Sequence, residues 1–168
     1  YCALRLLDCL RFFLLYYFDL QKISFSTDIK LVVAQSDMII VAVPSIHIET
    51  TLASLDEQDL KDKLIVSAVK GVLPVHNILL NDWLAKKFNF PLSAYFTLLG
   101  PSHAEEVAAE QLSYLTFSGL DETATTNIAS YFKSEYINTI VNKDQTVAIF
   151  YQQATHCPIA HIIFISRI

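Results

Sequence analysis

The sequence predicts an α/β fold in which strands alternate with helices to lay down a doubly wound sheet. Three observations carry that expectation. Five short apolar or alternating runs are separated by stretches of helical periodicity, the pattern of successive βαβ units. Two of the runs, Met38–Val43 (MIIVAV) and Leu64–Val69 (LIVSAV), are apolar at nearly every position, which suits strands covered on both faces. Across 168 residues the chain is 53% hydrophobic and only 17% charged, enough for one sizeable core and incompatible with intrinsic disorder.

The elements follow in order. Ala3 to Phe18 is strongly apolar, with seven consecutive apolar residues from Phe12 to Phe18, but Arg5, Asp8 and Arg11 interrupt it and Asp19 closes it. A membrane span needs about 20 nearly uncharged residues, so this stretch is expected to be a buried helix or an atypical chain end. A membrane-associated helix is the alternative. No A-x-A cleavage site follows, so a signal peptide is not expected. Met38–Val43 is the first clear strand, stopped by Pro44, and residues 46–55 read as a helix with Ile48, Leu52 and Leu55 on one side. Leu64–Val69 is the second strand. Residues 75–88 read as a helix with Ile78, Leu79, Leu84 and Phe88 inward. Tyr95–Leu99 is the third strand, and residues 103–111 follow as a helix. Leu112–Ser118 alternates as a strand, Asp121 caps a helix running to Lys133, and Tyr136–Val141 is the last strand. Crossovers between parallel strands are expected to be right-handed, with ligands beyond the carboxyl ends of the strands.

Three strand ends therefore matter. At Val43-Pro44-Ser45, proline stops the strand and serine caps the next helix; the turn is either plain or borders a ligand groove. At Ser67-Ala68-Val69-Lys70-Gly71, a lysine leaves the end of an apolar strand. It is either solvated or aimed into a cleft at a phosphate or a reacting oxygen. At Gly100-Pro101-Ser102-His103-Ala104-Glu105-Glu106, glycine admits close approach to the backbone and proline fits a first helical turn. The free N–H groups there make either an anion site or an ordinary helix start.

Other chemistry is sparse. With 12 basic against 17 acidic residues the net charge is −5, and no basic stripe points to nucleic acid. Cys2, Cys9 and Cys157 form neither a disulfide framework nor a metal spacing, and His47, His76, His103, His156 and His161 make no metal-binding pattern. A reducing, cytoplasmic setting is expected. His103 alone suits capping or packing better than acid–base chemistry, and no nucleophile elbow is present.

Taken together, the segments Ser36–Ser45, Leu64–Gly71 and Gly100–Ala108, in that order and at those intervals, resemble the bacterial NAD(P)-dependent glycerol-3-phosphate dehydrogenases. Ser134-Glu135-Tyr136 adds to the likeness, which covers roughly residues 18–149. The resemblance implies the second half of a Rossmann-like cofactor domain at residues 21–149, flanked by atypical segments at 1–20 and 150–168. It implies hydride transfer between NADH or NADPH and dihydroxyacetone phosphate to give sn-glycerol 3-phosphate, for phospholipid synthesis. Residue by residue, it puts Lys70 against both nicotinamide and substrate. It puts Gly100 and Ser102 on the substrate, Ala104 against the cofactor and Pro44 at the cofactor groove. No integral membrane span and no metal are expected, and a homo-oligomer stays open.

The sequence also departs from the family. Its three glycines, Gly71, Gly100 and Gly119, cannot form the GxGxxG turn that cradles pyrophosphate. The family's general acid/base lysine, followed by asparagine, has no counterpart near Thr155-His156, so no catalytic residue is assigned. The alternative expectation is thus a truncated, inactive remnant that keeps only a partial nucleotide- or phosphate-binding half-domain.

Overall fold

The computed structural model describes residues 26–100, 107, 109–142 and the backbone of 165–166. The expected apolar segment at 1–20 and most of the 150–168 tail lie outside the described residues.

The first element is a helix, α1 (Ile29–Ala34), to which the sequence analysis assigned nothing. Asp28 caps it by accepting from the Lys30 and Leu31 N–H groups at 3.0 and 3.3 Å. Ile29 and Val33, four residues apart, turn to the core. On the outer side Lys30 reaches Asp56 and Asp59 at 3.5 and 3.3 Å. Asp59 raises the lysine's pKa, while the Asp56 backbone N–H holds the Asp59 carboxyl below its usual range.

Strand β1 (Met38–Val41) is buried at all four positions. After Pro44 the chain makes a 3-10 turn at Ser45–His47 and a short helix α2 (Ile48–Thr51). The expected helix over 46–55 is thus cut short, although Leu52 and Leu55 still reach the core through a turn. Strand β2 (Leu64–Ser67) follows. Helix α3 occupies Leu80–Phe88 and not the whole of 75–88. The missing part is a tight turn: Leu73 bridges Ile78, and Asn77 takes φ 51°, a left-handed value that a helix interior excludes. The buried face of α3 is therefore Leu80, Trp83, Leu84 and Phe88, and Ile78 only abuts the core.

Strands β3 (Tyr95–Leu99), β4 (Ser113–Ser118) and β5 (Ile137–Asn142) sit within a residue or two of their expected bounds. So does helix α4 (Glu122–Phe132), capped by Asp121 on the Thr123 and Ala124 N–H groups at 2.8 and 3.2 Å. A two-residue strand, β6 (Ile165–Ser166), completes a sheet of order β5-β4-β3-β2-β1-β6. Most of the expected helix at 103–111 lies outside the described residues, and Glu110, at φ 58°, is already in a turn.

One expectation is corrected. β1, β2 and β3 are parallel, but β4 pairs antiparallel with β3, and β5 follows β4 in parallel. This reversal explains why helices lie on both faces. Strand order advances the same way throughout, so a right-handed crossover puts its helix on one face for upward strands and on the other for downward strands. Accordingly α1, α2 and α3 pack on Ile39, Val41, Ile65 and Tyr95, whereas α4 packs on the opposite face with Val66, Phe96 and Phe117.

Candidate functional site

A cavity between α1, α2 and the β1–β2 face is lined by Ile29, Val33, Ile39, Leu52, Leu55 and Ile65, among others. It exposes no polar surface that could orient a phosphorylated ligand. The strand ends offer more.

Register aligns Val41 with Ser67, Ser67 with Thr97, Thr97 with Ser118 and Ser118 with Asn142. This rank crosses five strands. Three residues beyond it on β1, β2 and β3 stand Pro44, Lys70 and Gly100, the three site residues proposed from sequence that the structure describes. Three neighbouring parallel strands thus run toward the same edge of the sheet, each followed by one of these residues. Ser102 and Ala104, the other two, lie outside the described residues.

The same register shows a stagger. β1 and β2 stop at the rank, at Val41 and Ser67, whereas β3 continues to Leu99. β4 and β5 end at the rank and lie wholly on its far side, since Thr116 pairs with Leu99 and Ser113 with Ile137. The exits of β1 and β2 therefore form the floor of a notch. The end of β3 and the β4–β5 pair form its wall.

Both glycines at the notch hold a positive φ, +76° at Gly71 and +155° at Gly100, and they differ in what a side chain would meet. Gly71 has no described residue within 4 Å of where a Cβ would sit, so its backbone conformation alone requires glycine there. At Gly100 a Cβ would lie 2.5 Å from the Tyr114 carbonyl oxygen and 3.5 Å from the Leu115 Cα. The close neighbour that sequence reasoning anticipated at Gly100 includes the protein's own wall strand.

Behind the floor lies a set of buried hydroxyls that sequence reasoning missed. Ser67, Thr97 and Ser118 are each fully buried. Ser67 Oγ accepts the Val69 N–H at 3.2 Å, and Thr97 Oγ1 donates to the Ser118 carbonyl at 3.4 Å. The Tyr95 hydroxyl is hydrogen-bonded to the Ser67 side chain, and burial raises its pKa, so the phenol stays neutral. Among the described residues Ser118 Oγ has no partner. The available signal was a single hydroxyl inside each otherwise apolar run, at Ser67 in LIVSAV and Thr97 in YFTLL.

Among the described residues no group of His, Cys, Asp and Glu could hold a metal ion, and no helix is long and apolar enough to cross a membrane.

The family described as NAD-dependent glycerol-3-phosphate dehydrogenase N-terminus matches residues 18–125. The chain belongs to the NAD-dependent glycerol-3-phosphate dehydrogenase family. Relatives named glycerol-3-phosphate dehydrogenase [NAD(P)+] agree. That of Syntrophotalea carbinolica is 30% identical over 129 residues, covering 74% of this chain and 38% of the relative. That of Mycoplasma mobile is 28% identical over 130 residues, covering 75% and 39%. The chain thus spans less than two fifths of the length of these relatives.

The fold is that of solved dehydrogenases of the family. Glycerol-3-phosphate dehydrogenase of Coxiella burnetii superposes with TM-score 0.62 at 19% identity, over 71% of this chain and 36% of that one. The enzyme of Plasmodium falciparum gives 0.58 at 24% identity, over 70% and 33%. The expected Rossmann-like α/β class is therefore correct. The matched family is one of oxidoreductases, and the relatives' names carry NAD(P)+.

Proposed function

We propose that residues 21–149 form a nucleotide-binding portion of a glycerol-3-phosphate dehydrogenase, and that the notch takes the nicotinamide end of NAD or NADP together with a phosphorylated three-carbon substrate. The reaction would be reduction of dihydroxyacetone phosphate to sn-glycerol 3-phosphate, serving phospholipid synthesis. The observation that supports this reading is that Pro44, Lys70 and Gly100 each stand three residues past one register rank, at the same edge of three parallel strands.

The chemistry follows from those residues. Lys70 leaves the end of β2 half-buried, where low solvent exposure strengthens its field. Beside a carbonyl oxygen its ammonium favours the negative charge that develops there on reduction. Gly100 and Ser102 would hold the substrate, Ala104 would lie against the cofactor and Pro44 would border the groove. The bound cofactor supplies the hydride.

A second reading is favoured by one sequence observation. The glycines at 71, 100 and 119 form no pyrophosphate-cradling turn. On that reading the chain binds ligand at the notch without turnover.

Titration of the purified chain with NADH and with dihydroxyacetone phosphate, followed by an NADH-oxidation assay, separates the two. Binding with turnover supports the enzyme, and binding without turnover supports the second reading. Lys70→Ala is expected to weaken dihydroxyacetone phosphate binding about tenfold or more, the loss typical of a charge-assisted hydrogen bond. Wild-type protein that binds neither ligand would refute both readings.

A further inference from the structure

The turn that carries Lys70 begins where the β1–β2 ladder ends. The Ala68 N–H donates to the Val41 carbonyl of β1 at 2.9 Å, one residue beyond the end of β2. The next amide, Val69, turns back to the Ser67 hydroxyl of its own strand at 3.2 Å. A serine hydroxyl bonding the N–H two residues on is the local device that diverts a chain out of a strand. Here the device is fully buried, with Ser67 at 0% and Tyr95 at 2% exposure. The Tyr95 hydroxyl bonds the Ser67 side chain, so the serine oxygen is fixed from the neighbouring strand. In an apolar interior each of these groups would be costly to leave unpaired. Lys70 and the left-handed Gly71 follow at once.

We propose that Ser67 is a positioning residue: its buried hydroxyl, anchored by Tyr95, sets the turn that presents Lys70 at the notch. This rests on the function proposed above for Lys70, but the hydrogen bond itself can be read without any ligand. Ser67→Ala removes the acceptor with little change of volume, and Tyr95→Phe removes only the anchor. Amide hydrogen exchange on the full chain is the first readout. In Ser67→Ala, exchange at Val69 is expected to rise about tenfold, the loss of one buried hydrogen bond, while Ala68 keeps its wild-type rate. Tyr95→Phe is expected to move Val69 in the same direction by less.

The second readout is ligand affinity. Dihydroxyacetone phosphate binding should weaken about threefold to tenfold in Ser67→Ala, measured well below the melting transition of the variant. A purely structural role would speed exchange at Ala68 and Val69 together and leave the affinity of the folded variant at its wild-type value. Wild-type exchange at Val69 in Ser67→Ala would overturn the proposal. Faster exchange at Val69 in a protein whose wild type binds no dihydroxyacetone phosphate would uphold the turn and refute the ligand assignment.

Discussion

At the scale of single residues, the glycines separate what sequence can reveal from what it cannot. Lys70 and Gly100 stand out in sequence because a cation and a glycine are unusual after apolar strands. What each one faces is a property of the fold. Gly100→Ala drives a methyl group into the Tyr114 carbonyl of the adjoining strand, and backbone there cannot swing aside. The expected loss is about 2–4 kcal/mol of stability, read by urea denaturation. Gly71→Ala meets no neighbour and pays only for its left-handed backbone, about 1–2 kcal/mol. If Gly100→Ala were the milder of the two, the wall contact would not be what demands glycine. Ser67 was legible only as one polar letter in an apolar run; its importance comes from Val69 and Tyr95, neighbours that appear once strands pair.

At the scale of elements, strands were the most legible because their signal is local. MIIVAV, LIVSAV and YFTLL are β-branched or aromatic and bounded by Pro44, Gly71 and Gly100. Helix starts were less so. The stretch before α3 has helical periodicity, but Pro74 and the left-handed Asn77 spend it on a turn. α1, at six residues, is too short to show a period and depends on Asp28 and on tertiary burial of Val33. α4 was placed correctly because its cap is encoded in the sequence. Asp121→Ala is expected to cost about 1 kcal/mol, since two N–H groups lose their acceptor. A melting temperature unchanged from wild type would show that tertiary packing alone holds that end.

At the scale of the whole molecule, the reversal between β3 and β4 left no trace in the sequence. Each strand reads the same in either direction, and orientation is decided by partners far along the chain. The reversal also leaves part of the sheet bare. Thr116 pairs with Leu99 and with Ile140, which places Tyr114 and Ile140 on the face opposite α4. They are 47% and 49% exposed, and β5 is the end strand of the sheet. Exposed apolar surface beside an open edge favours association. Ile140→Lys is therefore expected to lower concentration-dependent light scattering while shifting stability by no more than about 0.5 kcal/mol. Scattering equal to wild type would mean that this face is not the adhesive one.

The stagger of the strands has a mechanical consequence. β4 and β5 are laced along six register positions and clamped by α4, whereas β3 and β4 share three, at Thr97, Leu98 and Leu99. β2 and β3 likewise share three, at Ile65, Val66 and Ser67. Two seams of three rungs each therefore separate Lys70 from the β4–β5 pair, so a slight twist at either seam resets the gap between them, as the jaws of a calliper are set by its slide.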